Sequence, residues 1–208
     1  MERINTPYPI AIAIADLHLS LLQPACRADK DWMAVQAGYL QQVRELACNE
    51  LTRRHPGPEC LPILCAGDIF DKWNVPPELI NFALEHLPDG MLCVPGQHDL
   101  PLHRTDLMHR SGYGVLKQAG KIRDLSSGEP YDASTCVVRG FGWEQEVVPL
   151  KKRLNSKPHI ALIHRYVFLN RGTAFPNAPA EASFGKLEKV LRTYDAVCIG
   201  DNHIHWSA

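Results

Sequence analysis

Five short apolar runs, each ending within a few residues of an aspartate or a histidine, constrain this chain more than any other feature. Residues 9–15 stop at Asp16, with His18 just beyond; residues 62–66 precede Gly67 and Asp68; residues 91–94 precede Gln97, His98 and Asp99. Two later runs repeat the pattern, 159–163 before His164 and 196–199 before Gly200, Asp201 and His203. Runs this short and continuous read as strands buried on both faces. Helical spacing lies between the first three, over about residues 31–54 and 77–87, where a proline suits the first helical turn. Strands alternating with helices imply a layered α/β fold. In an open sheet of that kind the carboxyl ends of the strands form the ligand-binding edge, so residues far apart in sequence should converge there.

The region 120–150 reads differently, with strand-forming residues over 131–142 set between Gly, Pro and Ser, and it predicts hairpins or a second sheet. Residues 170–182, rich in Pro, Ala and Asn, predict a loop bordering a pocket. At 208 residues, 45% hydrophobic and 22% charged, the chain fits one globular domain spanning 1–208. Its net charge of -1 provides no global positive field for nucleic acid; Lys151, Lys152, Arg153 and Lys157 form the one candidate basic patch, more simply a solvated face. Seven cysteines without a Cys-x-x-Cys pair indicate neither a disulfide framework nor a zinc ribbon, which suggests a reducing cytoplasm. The N-terminus lacks the pattern of a signal peptide, and no apolar run reaches the roughly 18 residues of a membrane span, so no membrane partner is expected.

Aspartate, histidine and amide ligands without cysteine suit divalent ions such as Mn²⁺, Fe²⁺, Mg²⁺ or Zn²⁺, and a pair of such ions suits phosphate-ester hydrolysis. In order and strand context the motifs Asp16-Leu17-His18, Gly67-Asp68, Gly96-Gln97-His98-Asp99, His164 and Gly200-Asp201-Asn202-His203 resemble those of the calcineurin-like metallophosphoesterase superfamily. The resemblance covers about residues 10–205. Around residues 66–71 it is similar to the nuclease subunit of the bacterial SbcCD complex and related phage proteins. It implies a layered β-sandwich flanked by helices and two divalent ions, Mn²⁺ foremost. Asp16, His18, Asp68 and the final histidine of the last motif would hold one ion. Asp68, Gln97, His164 and the first ligand of the last motif would hold the other. His98 would serve the leaving oxygen, with Asp99 orienting its ring.

Two departures from the family pattern matter. Gln97 stands where relatives carry asparagine, which lengthens the ligand by one methylene. The last motif aligns either on the strand, giving Asp201 and His203 as ligands, or on its His-x-His pattern, giving His203 and His205. Trp73 reads either as a ring for a base or apolar leaving group or as a core aromatic, and Arg165 as a phosphate contact or a mere neighbour. His55, His86, His103, His109 and His159 match no motif and read as surface or packing residues. The expected function is a phosphodiesterase acting on DNA or RNA; the alternatives are a small-molecule phosphoesterase, for a nucleotide or cyclic nucleotide, and a non-catalytic scaffold of the same fold. Relatives continue with further strands after the last motif, so the chain reads as a fragment or a minimal version of the fold, truncated at the C-terminus. An open sheet edge there could pair with another copy as a homodimer, and no ATPase partner is inferred.

Overall fold

The computed structural model describes residues 9–50 and 60–203. Strands β1 (Ile12–Ile14), β2 (Ile63–Cys65), β3 (Met91–Cys93) and β4 (Ile122–Asp124) form one parallel sheet in sequence order. A second sheet holds β5 (Tyr131–Asp132), β6 (Val137–Phe141), β7 (His159–His164) and β8 (Ala196–Gly200), antiparallel only between β5 and β6. Parallel neighbours need long crossovers, and helices α1 (Trp32–Glu45), α2 (Pro77–His86), α3 (Gly112–Gln118) and α4 (Phe184–Leu191) lie in them.

Alternation along the strands sorts the side chains into three cores. Cys65, Met91, Cys93 and Ile122 face the layer of α1, α2 and α3 together with Leu40, Leu79, Ala83 and Leu116. Leu64, Ala66, Leu92 and Val94 of the first sheet meet Val138, Ile160 and Leu162 of the second. Phe141, Ala161 and Ile163 turn outward against Leu187, Val190 and Leu191 of α4. The result is the expected α/β class: helices, two facing sheets, helices. The central strands β2, β3 and β7 lie between a sheet and a helical layer, which is why their runs carry no polar alternation.

Asp31 caps α1 by accepting the Ala34 N–H, and α2 starts on Pro77. The helix predicted to about residue 54 ends at Glu45 in a π-helical turn, Leu46–Glu50; residues 51–59, including His55, lie outside the described residues. Cys48 and Cys60 are joined by a disulfide, contrary to the reading that the cysteines carry no such bond. They stand twelve residues apart in the sequence, between α1 and β2. The loop expected over 170–182 contains two short 3₁₀ turns, Arg171–Thr173 and Ala180–Ala182. No helix among the described residues is long and apolar enough to cross a membrane.

Candidate metal centre

The two sheets present their carboxyl ends at one edge, because Cys65 pairs with Ile14 and Cys93 in the first and His164 with Gly200 in the second. Beyond the edge the loops after β1 and β2 stay zipped: the N–H groups of Asp16, His18 and Leu19 donate to the carbonyls of Gly67, Asp68 and Ile69. Gln36 of α1 anchors the first loop through Ser20, accepting its N–H at 3.0 Å and donating to its carbonyl at 2.9 Å. Asp16, His18, Asp68 and Asp201 all have positive φ, at 53°, 45°, 51° and 86°. A non-glycine residue there costs about 1–2 kcal/mol, and such outliers persist where the surroundings over-determine them.

Three overlapping groups bring their ligand atoms within 4.8 Å of one another: Asp16, His18 and His203; His18, Asp68 and His98; Asp16, Asp68 and His164. Asp68 is buried and central. Its Oδ1 accepts the His98 N–H at 2.9 Å, and its Oδ2 lies 3.4 Å from His164 Nε2. Nδ1 of His164 faces the Ala66 carbonyl at 2.6 Å, so that nitrogen carries a proton. Its Nε2 then meets two acceptors, Asp68 Oδ2 and, at 2.6 Å, Gln97 Oε1. Burial alone would lower the His164 pKa, but the hydrogen bond and charge of Asp68 and the Ala66 carbonyl outweigh it and raise it to about 9. Burial would raise Asp68, yet His164 and the His98 N–H hold it below the ordinary carboxylate range. Burial raises Asp16 against the opposing Asp201 N–H, and burial lowers His18.

These residues fit divalent cations on structural grounds. Both ring nitrogens of His18 are buried without a hydrogen-bond partner, and a buried polar atom left unpaired costs about 1–3 kcal/mol. A cation beside His18 would engage a lone pair. Likewise, the convergence of Nε2 of His164 with two oxygen acceptors is satisfied either by a proton on that nitrogen or by a cation among the three groups.

Asp201 donates its N–H to both Asp16 oxygens, at 3.0 and 3.1 Å, and its Oδ1 accepts from the Gln97 amide at 2.8 Å. His203 lies 4.0 Å from Asp16 and its ring 5.3 Å from that of His18. The strand-aligned pair of the last motif thus reaches both halves of the cluster, while His205 lies outside the described residues. His98 is exposed, its ring edge-on to His18 at 4.9 Å.

Asp99 does not orient that ring. Its two oxygens accept the N–H groups of Ile69, Phe70 and Gly96, while His98 Nδ1 meets the Asp71 carbonyl at 2.7 Å. A carboxylate that buried staples the loops after β2 and β3; burial and the charge of Asp68 lift its pKa to about 7 against the three donors. Arg165, half-buried beside His164, makes no ion pair or hydrogen bond among the described residues. Trp73 is half-buried on the loop after β2, and its carbonyl accepts the Gly112 N–H.

The sequence reading overlooked Trp143, whose ring centroid lies 6.3 Å from that of His164. The available signal was another strand end, Phe141-Gly142-Trp143, masked because it closes on no ligand residue. The candidate basic patch is partly consumed: Arg153 pairs with Asp195 and Lys157 with Asp132.

The chain matches the calcineurin-like phosphoesterase family over residues 11–205. No curated protein matches it. With a match over nearly its whole length and a carboxylate and imidazole cluster at the sheet edge, the chain belongs to the calcineurin-like phosphoesterase family.

Proposed function

We propose that this metal-dependent phosphoesterase is a phosphodiesterase acting on nucleic acid strands. The observation that carries the reading is the cluster around the buried Asp68, in which neither ring nitrogen of His18 has a hydrogen-bond partner among the described residues. Asp16, His18, Asp68 and His203 would hold one ion; Asp68, Gln97, His164 and Asp201 would hold the other. Such ions, when bound, polarise a phosphoryl oxygen and lower the pKa of water toward neutrality. With Nδ1 engaged by the Asp71 carbonyl, Nε2 is the atom with which His98 can exchange a proton with the leaving oxygen. Arg165 brings a guanidinium, unpaired among the described residues, to neutralise a phosphate, and Trp73 a ring to face an apolar leaving group. The resemblance of residues 66–71 to the SbcCD nuclease subunit supports a nucleic acid substrate.

Gln97 and Asp201 add oxygen donors to the second site, which favours Mn²⁺ or Mg²⁺ over Zn²⁺. An activity maximum in Zn²⁺ would count against that preference. A cytoplasmic setting belongs to the same proposal; the buried thiols of Cys65, Cys93 and Cys136 support it, and the Cys48–Cys60 disulfide opposes it.

A second reading, hydrolysis of a small nucleotide, is favoured by one observation. The net charge is -1, and Arg153 and Lys157 are already paired, whereas long polyanions are held by many free cations. The deciding experiment is hydrolysis of bis-p-nitrophenyl phosphate and of labelled single-stranded DNA in Mn²⁺, Mg²⁺ or Zn²⁺, beside Asp68→Ala. Cleavage of both, lost in the variant, is the expected result. Cleavage of the small diester alone would shift the substrate to a nucleotide, and inactivity with less than one ion bound per chain would support the non-catalytic scaffold.

A further inference from the structure

We infer that Trp143, faced by His103, forms a stacking subsite for the nucleobase of a nucleotidyl substrate on the His164 side of the metal centre. The inference rests on the phosphodiesterase reading and specifies where that substrate's base would lie. Trp143 follows β6 at the same sheet edge as the ligands and is half-buried. Its turn is held on three sides. The Trp143 N–H donates to the Pro95 carbonyl at 2.9 Å, the Gly142 N–H to Gln145 Oε1 at 2.6 Å, and the Gln145 amide to the Ser126 carbonyl at 2.5 Å. An aromatic ring so fixed loses little further freedom on binding. The exposed His103 ring stands edge-on to it, with centroids 6.0 Å apart.

Trp143 packs in part against the helix-facing core, but two observations go beyond packing. A buried tryptophan ordinarily finds a partner for its indole N–H, yet Trp143 Nε1 is buried and has none. Among the described residues, eight non-glycine positions have positive φ; four are Asp16, His18, Asp68 and Asp201, and three of the rest, Leu102, His103 and Glu144, bracket this ring pair. Local strain is therefore concentrated in two places, the ligand loops and the mounting of Trp143 and His103, as expected of groups presented to a substrate. Leu102, next to His103 in the chain, is largely exposed.

The test measures, by calorimetry on the Mn²⁺-loaded protein, dissociation constants for thymidine 5′-monophosphate and for deoxyribose 5-phosphate, which carries no base. The wild type should prefer the nucleotide. In Trp143→Ala the ratio of the two constants should shrink by on the order of tenfold, as for loss of one base–aromatic stack. Trp143→Phe should keep most of the preference, and His103→Ala, on an exposed turn, should lose part of it. Equal binding of the two ligands by the wild type, or a ratio unmoved by Trp143→Ala and His103→Ala, overturns the subsite and leaves the phosphodiesterase reading standing. Failure of the wild type to bind either ligand overturns both.

Discussion

Gly67 stands at φ +93° with the His164 ring occupying the space where a Cβ would be built. Two constraints meet in it: a backbone conformation that L side chains rarely adopt, and the approach of His164 Nδ1 to the Ala66 carbonyl. Gly67→Ala should therefore lose about 2–4 kcal/mol, from left-handed strain and forced repacking together. That corresponds to a fall in Tm of roughly 4–16 °C for a chain of this size. The same variant should bind fewer divalent ions, measured by elemental analysis after dialysis, because the His164 ring must move. Gly96 is a second such position, since a Cβ there would strike the Asp68 carboxylate. The candidate ligands were legible as residues because each stands at a strand end, and a strand end announces itself locally. What Gln97 does was not. Its amide links His164 to Asp201, partners 67 and 104 residues away, and nothing nearby in the sequence records them.

The loop over residues 167–175 is fastened to the metal centre by a residue between two candidate ligands. Asn202 Nδ2 donates to the carbonyls of Val167 and Thr173, both at 2.9 Å. Asn202→Ala should raise amide exchange over 168–182 and lower activity on a diester while leaving the Tm within a few degrees, which hydrogen-exchange mass spectrometry and steady-state kinetics would check. At the other end of the second sheet, Asp195 accepts two bonds from Arg153 and one from the His159 N–H. The Arg153 guanidinium holds its pKa down at about 2. A depressed folded value means stabilisation that is present above the ordinary carboxylate pKa of about 3.9 and lost as pH falls through the folded one. The urea midpoint of the wild type should thus exceed that of Asp195→Asn at pH 6, the gap should narrow by pH 3, and it should close near pH 2. Solvent screens this half-exposed pair, so the gap is worth under about 1 kcal/mol. That pairing also explains why Arg153, legible as part of a basic patch, is not a free cation.

Across the whole molecule, glycines set how closely the two sheets approach, Gly200 against the Ala66 carbonyl and Gly140 of β6 among them. A Cβ on Gly140 of β6 would lie 2.5 Å from Leu125 Cβ and 2.7 Å from Val94 Cγ1, so the sheets meet there only because the side chain is absent. Gly140→Ala should destabilise by about 1–3 kcal/mol through overpacking. It should also shift the carboxyl end of β6, and Trp143 with it, so the midpoint of denaturation and the affinity for a nucleotide should fall together. The alternation of the apolar runs was enough to expect a layered α/β fold and to place candidate ligands at one sheet edge, because burial on both faces and termination at a polar residue are properties of a few adjacent residues. Only the tertiary structure decided that Asp99 staples two loops while the Asp71 carbonyl holds His98, that Asp201 and His203 reach the two halves of the cluster, and that Trp143 stands beside His164. The contacts of Asp99 and His98 join the loops after β2 and β3 of the first sheet, while the others join residues of different sheets, 98 apart for Ala66 and His164 and 185 for Asp16 and Asp201, and exist only once two sheets have packed face to face.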